Sequence, residues 1–467
     1  MSDYDLVIRG GTVVTAADVF RADVGVRDGV IAALATDLGP GRDTIEADGL
    51  LVLPGGIDSH VHIEQPTSDG TVMADDFASG TRSAAFGGNT TVLPFALQQR
   101  GQSLRLAVDD YRQRAKGHSF VDYGFHLILT DPSDQVLGQE LPALVRDGYT
   151  SLKVFMTYPD MKLDDLEILN VMAAAHRERA LVMIHAENYD AIRFLTEHLE
   201  QAGHTEPRGH ARSRPIPVER EATHRAVTLA EIAQVPLVVV HVSNGEALEE
   251  IIRAQRRGLK IFAETCPQYL VLTEKDLDGL NMAGEKYVCS PPPRDEASQK
   301  ACWQGLEQGL FEVFSSDHCP FRYEGPTGKR HKGERTAFRW VPNGIPGVET
   351  RLPILFSEGV GSGRITLPQF VALTATNHAK LYGLYPRKGS LAVGADADIT
   401  LWDPNRRETI RQHILHHGCD YTPYEGFEVR GWPVTTLLRG RVVVGDGQLL
   451  GAPQGAFQAR GPSAAVA

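Results

Sequence analysis

The chain has 467 residues, a formal net charge of −12 at pH 7 and 42% hydrophobic residues, which predicts a globular protein with a large core. The acidic balance argues against nucleic acid or an anionic membrane as a partner. There is no signal-peptide pattern and no apolar run long enough to span a membrane, and the five cysteines include no CxxC pair. We therefore expect a cytoplasmic protein.

The two ends of the chain share one pattern of short apolar runs broken by glycine and aspartate turns. The segment IRGGTVV near the N-terminus resembles LRGRVVV near the C-terminus. These patterns predict that residues 1–52 and 386–450 form one small β-sandwich domain. Residues 451–467 are rich in Gly, Pro and Ala, so we expect a tail that is disordered or reaches a neighbouring subunit.

The middle of the chain, residues 53–385, alternates between short apolar runs and segments with helical spacing. We count eight such runs between Leu51 and Phe321. Strands that alternate with helices form parallel sheets, and eight units predict a (β/α)8 barrel. A doubly wound open sheet is the alternative, but no glycine fingerprint for a nucleotide follows the first strand.

Ionisable side chains end several of these apolar runs. In VLPGGIDSHVHI the two histidines are one residue apart, so they lie on the same face of a strand. They would be ordinary surface residues if they stood alone. The carboxyl ends of barrel strands meet at one mouth, however, and six candidate metal ligands fall there. They are His60, His62, Lys153, His185, His241 and Asp317.

This set is larger than one zinc ion needs, which favours two metal ions. Lys153 does not fit at first, because a protonated amine cannot ligate a cation. It could instead pair with a carboxylate or remain a neutral buried amine. A neutral amine at this position could react with carbon dioxide, and the resulting carbamate could bridge two metals.

The chain resembles the cyclic amidohydrolases of the amidohydrolase superfamily, most closely the dihydropyrimidinase and D-hydantoinase branch. The motifs GGIDSHVH, TSLKVFMTY, VMIHAEN, VVVHVSN, ETCPQYL, YVCSPPPR, SSDHCPF and PNGIPGVE carry this resemblance along the whole chain. It implies two zinc ions per subunit, with manganese or cobalt as substitutes. One zinc would be held by His60, His62, carbamylated Lys153 and Asp317, and the other by Lys153, His185 and His241.

The resemblance also implies the reaction. A hydroxide bridging the two zinc ions would open a 5,6-dihydropyrimidine or a 5-substituted hydantoin to an N-carbamoyl amino acid. Asp317 would act as general base and then general acid, although pure ligation is its simpler role. Tyr158 matches an oxyanion donor, whereas position alone suggests a rim tyrosine. Ser290 and Asn343 match positions whose backbone groups hold the ring amides.

Other functions stay open at this stage. Allantoinase shares the ligand pattern, a metal-free structural relative would have lost its ligands, and a deaminase on a related barrel would use one metal. The segment HVHIEQP has no basic residue that could hold the carboxylate of dihydroorotate, and IEQPTSDG departs from the apolar loop expected beside the substrate. The partner is therefore expected to be a small cyclic ureide, and the resemblance implies a homotetramer.

Overall fold

The computed structural model describes residues 3–466 of the chain. The N-terminal part of the small β domain has five strands: β1 (Leu6–Val14), β2 (Val19–Arg27), β3 (Val30–Ala35), β4 (Asp43–Glu46) and β5 (Leu51–Pro54). Strand β1 lies antiparallel to β2 and parallel to both β4 and β5. The first apolar run is divided at Gly55, so that its first half joins this sheet and its second half enters the barrel.

The barrel has eight parallel strand positions, of which the third is split in two. Its strands are β6 (Gly56–Val61), β7 (Asn89–Leu97), β8 (Asp122–Tyr123), β9 (His126–Ile128), β10 (Ser151–Phe155), β11 (Leu181–His185), β12 (Leu237–Val239), β13 (Ile261–Thr265) and β14 (Val313–Phe314). Neighbours in the chain are neighbours in the sheet. Beyond β14, the carbonyl of His318 accepts a hydrogen bond of 2.6 Å from the His62 amide at the end of β6. This contact brings the first and last strands together, and the prediction of a barrel is confirmed.

Helices follow most of the barrel strands. They are α1 (Phe77–Phe86), α2 (Leu104–Ala115), α3 (Leu141–Arg146), α4 (Asp165–Glu178), α5 (Tyr189–Gln201), α6 (Arg208–Ser213), α7 (Ile216–Ala233), α8 (Gly245–Arg256), α9 (Gln268–Val271), α10 (Glu296–Glu307), α11 (Arg351–Leu355), α12 (Leu367–Val371) and α13 (Asn377–Leu381). Shorter 3-10 or π turns cover Val136–Glu140, Glu274–Asp278, Leu280–Tyr287, Phe338–Trp340, Phe356–Val360, Ala372–Thr376 and Gln412–Ile414. Within residues 3–466, no helix is both long enough and apolar enough to cross a membrane.

Asparagine caps fix where two helices start at the carboxyl ends of their strands. The Asn188 side chain accepts a hydrogen bond of 3.0 Å from the Ala191 amide at the start of α5. The Asn244 side chain does the same for the Ala247 amide at the start of α8. Such caps satisfy amides that a helix leaves unpaired at its first turn. Both helices therefore begin within a few residues of a strand-end histidine.

The last strands of the chain complete the small sheet: β15 (Ile399–Thr409), β16 (Glu428–Leu438), β17 (Arg441–Gly445) and β18 (Gln448–Leu449). Strand β15 pairs antiparallel with β5, so β5 joins the two ends of the chain in one nine-stranded mixed sheet. Its apolar core draws residues from both ends, including Leu6, Val24, Ile399 and Leu437. The predicted fold class, a barrel with a small β domain built from both chain ends, is confirmed.

Alternating side chains of β10 show how the strands orient the site. Leu152 and Val154 pack outward in the layer between strands and helices, while Phe155 belongs to the apolar cluster inside the barrel. Lys153 shares the inward face with Phe155, and its Nζ lies 5.3 Å from the ring centre of the inward Phe95. The period of two in a strand therefore directs this lysine into the barrel.

The C-terminal tail packs against the end of the barrel where the strands begin. The amide of Gln458 donates to the carbonyl of Tyr123 at 2.7 Å, and the ring of Phe457 lies 5.1 Å from that of Tyr149. The guanidinium of Arg460 is buried, and it donates to Ser151 Oγ at 2.8 Å and to the carbonyl of Phe125. The composition of residues 451–467 suggested disorder or an intersubunit arm, but the described part has these partners within its own chain.

We expect Arg460→Met to destabilise the fold, because it leaves the buried carbonyl of Phe125 and the Ser151 hydroxyl without their donor. Such a loss costs about 1–3 kcal/mol and should lower the melting temperature by roughly 2 °C or more. Differential scanning calorimetry measures the change. Arg193→Met is the control, because the Arg193 side chain is 62% exposed and its removal should leave the melting temperature almost unchanged. Equal melting temperatures for both variants would contradict the role of Arg460.

Candidate active site

Three of the predicted ligands meet where the barrel closes. His60 lies in β6, His62 directly follows that strand, and Asp317 follows β14. Asp317 Oδ1 is 3.2 Å from His60 Nε2 and 3.4 Å from His62 Nε2. One ligand atom from each of the three residues lies within 4.8 Å of the others. This spacing suits three ligands of one metal ion.

His185 and His241 lie beside this group. Their ring centres are 4.4 Å apart, and the ring of His241 is 5.4 Å from that of His60. The Nδ1 atom of His241 is buried and has no hydrogen-bond partner within the described residues. A buried polar atom without a partner is costly, so this nitrogen is well suited to ligate an ion.

Lys153 is 1% exposed and lies close enough to His60, His185 and His241 that, besides burial, its charge lowers their pKa values. Burial lowers the pKa of its amine to about 8, while the carboxylates of Glu264 and Asp317 act to raise it. Its Nζ lies 5.3 Å from the ring centre of Phe95 and 5.1 Å from that of Phe155. The neutral amine, which is the nucleophilic form, is therefore a much larger fraction of the population here than in an exposed lysine.

The protonation states of the other groups favour metal binding. Burial lowers the pKa values of His60, His185 and His241, so these rings are neutral, the form that ligates metals. Burial acts to raise the pKa of Asp317, but His60 and His62 hold it below its usual value and keep the carboxylate ionised. Neutral imidazoles and one carboxylate are a donor set typical of zinc and related divalent ions, and the residues present fit such ions.

Glu264, to which the sequence analysis assigned no role, orients His60. One carboxylate oxygen accepts a hydrogen bond of 2.6 Å from His60 Nδ1, and the other accepts one of 2.9 Å from Ser315 Oγ. This leaves Nε2 of His60 facing Asp317. Partners of this kind fix the tautomer and direction of a ligating ring. The sequence signal was an acidic residue within the apolar run IFAETC.

Two further side chains orient histidines in the same way. Nδ1 of His62 donates to Gln65 Oε1 at 2.8 Å, which leaves Nε2 facing Asp317. Nε2 of His185 donates to Glu187 Oε2 at 2.7 Å, which leaves Nδ1 free to ligate. Glu187 could have been found as an acid two residues after a strand-end histidine, whereas nothing in the sequence distinguished Gln65.

Three of the predicted site residues have a left-handed backbone. Tyr158, His241 and Asp317 have φ angles of 69°, 41° and 51°. Residues other than glycine rarely adopt this left-handed region, and each instance costs about 1–3 kcal/mol. The surrounding fold holds these three side chains in directions that a relaxed backbone would not give them.

The three predicted substrate-binding residues also lie together. The Tyr158 hydroxyl accepts a hydrogen bond of 3.4 Å from Asn343 Nδ2 and contacts the Ser290 side chain. The Tyr158 ring centre is 5.4 Å from that of His185, so its hydroxyl lies at the edge of the cavity. Burial raises the pKa of this phenol, so it keeps its proton and can donate it in a hydrogen bond.

A second acidic cluster lies at the other end of the barrel. Asp122, Asp396 and Asp398 have oxygens close enough to hold a cation. The amine of Lys388 already lies 2.7 Å from Asp122 and 2.5 Å from Asp398. This cluster is a buried ion-pair network that joins barrel and small sheet, not a second metal centre.

Known proteins resemble this chain along almost its whole length. The model of the amidohydrolase family matches residues 51–443. The chain is 47% identical to a D-hydantoinase of Rhizobium radiobacter, over 98% of this chain and 99% of that protein. A solved D-hydantoinase superposes with a TM-score of 0.95 at 46% identity, covering 98% of this chain and 99% of the other. A dihydropyrimidinase from Brevibacillus agri gives 0.95 at 43% identity, with the same coverage.

The chain therefore belongs to the amidohydrolase family, and within it to the cyclic amidohydrolases of the hydantoinase and dihydropyrimidinase branch. The branch predicted from the sequence motifs is confirmed. The family match spans the barrel and, in the small sheet, β5, β15, β16 and most of β17.

We expect Glu264→Gln to weaken metal binding about 10- to 100-fold, because it removes the charge that fixes the His60 ring while keeping the side-chain shape. Metal content after dialysis against graded chelator concentrations, read by atomic emission, measures this loss. Glu312→Gln serves as the control, because Glu312 is partly buried but lies just before β14, at the opposite end of the barrel. If Glu264→Gln retained metal as well as the wild-type protein does, Glu264 would not orient His60 for metal binding.

Proposed function

We propose that the protein opens the ring of a 5-substituted hydantoin or a 5,6-dihydropyrimidine to give an N-carbamoyl amino acid. The observation that supports this most directly is the group of His60, His62, His185, His241 and Asp317 around buried Lys153. The relatives named D-hydantoinase and dihydropyrimidinase support the substrate class.

Two divalent ions, zinc by our proposal, would be held by the four histidines, Asp317 and a carbamate formed on Lys153. When bound, such ions lower the pKa of water and polarise a carbonyl oxygen. Formation of the carbamate needs the neutral amine of Lys153, and burial favours that form.

The chain's own groups would then handle protons and orientation. Asp317 is ionised, and its Oδ1 faces the histidines, so it can take a proton from the attacking water and return it to the leaving ring nitrogen. The protonated phenol of Tyr158 would donate to the carbonyl oxygen as negative charge develops there. The backbone groups of Ser290 and Asn343 would hold the amide edge of the ring.

Allantoinase is the second candidate, because its substrate presents the same ureide edge to the same groups. In the loop that follows β6, the Gln65 side chain accepts a hydrogen bond from His62. Assays on both kinds of ring distinguish the two candidates.

The metal-loaded protein should open at least one ring among dihydrouracil, 5-substituted hydantoins of both hands, allantoin and dihydroorotate. Absorbance and product mass measure the reaction. Lys153→Ala should lose essentially all activity, because it removes the side chain whose carbamate would help to hold the ions. The wild-type protein should carry one extra CO2 by native mass spectrometry. Activity on allantoin alone would identify the protein's substrate as allantoin instead. If the metal-loaded protein opened none of these rings, the proposal would be refuted.

Tyr158→Phe tests the oxyanion donor. We expect kcat to fall about 10²- to 10³-fold, as for other single oxyanion donors, with unchanged metal content. Tyr189→Phe is a matched control at the start of α5, where Tyr189 packs under the Lys162 amine. If the kcat of Tyr158→Phe were close to that of the control, Tyr158 would not be the oxyanion donor.

A further inference from the structure

Lys329 is a buried cation outside the group of metal ligands. Its side chain is fully buried, and among the described residues no carboxylate lies within ion-pair distance of its amine. The amine donates instead to two backbone carbonyls, of Val288 at 2.9 Å and of Pro342 at 3.0 Å. Burial lowers the pKa of this amine to about 8, and its only hydrogen-bond partners among the described residues are these two neutral carbonyls. Burying a polar amine in this way is costly, so a structural or functional gain must offset it.

The two carbonyls belong to the two loops that carry the predicted ring contacts. Val288 comes two residues before Ser290, and Pro342 directly precedes Asn343. The same carbonyl of Val288 also accepts a hydrogen bond of 3.0 Å from the Gly344 amide. Lys329 and Gly344 therefore hold the two loops against each other immediately beside Ser290 and Asn343.

The loop of Asn343 has little freedom on its other side. The backbone of Gly344 has a φ of 156°, and a Cβ atom at this position would lie only 2.5 Å from the carbonyl oxygen of Cys319. Cys319 comes two residues after Asp317, and its amide donates to the carbonyl of Ile345 at 3.0 Å. The loop is thus confined between the end of the last barrel strand and the Val288 carbonyl.

The Ser290 side is fixed by a second buried group. Nε2 of His210 lies 2.8 Å from the carbonyl oxygen of Cys289 and 3.3 Å from Ser290 Oγ. Burial lowers the pKa of His210, so its ring is neutral and donates from this nitrogen. With each loop held on its outer side, the contact through Lys329 sets the distance between them.

We propose that Lys329 is a positioning residue that sets the separation of the Ser290 and Asn343 loops, and through it the binding of the substrate's amide edge. This inference rests on the proposed function, because it assumes that a cyclic amide binds between these loops. Lys329 does not touch the reacting atoms. Its loss should therefore change KM far more than kcat.

The test compares Lys329→Met with wild-type protein on the best ring substrate. Methionine keeps an apolar stem of similar length and removes the donor. KM should rise about tenfold, as expected when binding groups are misplaced, while kcat stays within about threefold and metal content does not change. Lys329→Arg restores a cationic donor and should recover part of the KM. If Lys329→Met does not fold, Lys329→Arg is compared with wild-type protein instead. Its KM should then rise in the same direction but by a smaller factor.

Lys388→Met is the matched control, because Lys388 is equally buried but lies among Asp122, Asp396 and Asp398 at the other end of the barrel. It should lower the melting temperature without raising KM. The inference would be overturned if KM did not change in Lys329→Met, whether or not kcat and metal content fell. It would also be overturned if KM rose equally in Lys388→Met. Absence of turnover by wild-type protein would instead refute the proposed function, and this inference with it.

Discussion

The contacts that close the barrel are the constraint on which the site depends. The His62 amide donates to the carbonyl of His318, and the Ser316 amide donates to the Asp58 carboxylate. These contacts between the first strand and the segment after the last strand bring His60 and His62 to Asp317. The remaining strands then deliver Lys153, His185 and His241 in order around the same mouth. No local segment contains more than two of these six groups, so the cavity exists only when the whole ring of strands has closed. The strained backbone at His241 and Asp317 is tolerated because the closed barrel determines both positions several times over.

A shell of buried polar side chains determines how this cavity works. Glu264, Gln65 and Glu187 each occupy one nitrogen of a histidine and so decide which nitrogen faces inward. Such partners set both ring direction and basicity. The same principle extends to the substrate loops, where Lys329 and His210 bind backbone carbonyls rather than other side chains. Hydrogen bonds of this kind restrict the directions of the side chains and loops, and a reaction through closely placed groups requires such fixed directions.

Much of this could be predicted from the sequence, and the limits have physical reasons. Alternation of apolar runs with helical segments predicted the barrel, because parallel strands need crossovers. The ionisable run ends predicted the candidate ligands, because charges are rare in buried strands. Glu264 was missed although it lies in a quoted run, since its role depends on a contact with His60 on a strand far away in the chain. Gln65 and Lys329 lie in loops whose paths no local pattern determines. Composition also gave no sign of the contacts of the tail within the chain, because they depend on one arginine, Arg460, whose partners Ser151 and Phe125 lie far away in the sequence.

The place of β5 in the small sheet has a consequence for how the protein is made. This strand pairs on one side with β1 and on the other with β15, which is synthesised only after the entire barrel. On the ribosome, the first five strands therefore emerge without the partner that completes their sheet, and the apolar face of β5 must wait for several hundred residues of further synthesis. Such long-range pairing is slow to form and leaves strand edges open to aggregation. The N-terminal strands therefore stay without their sheet partner until almost the whole chain has been synthesised.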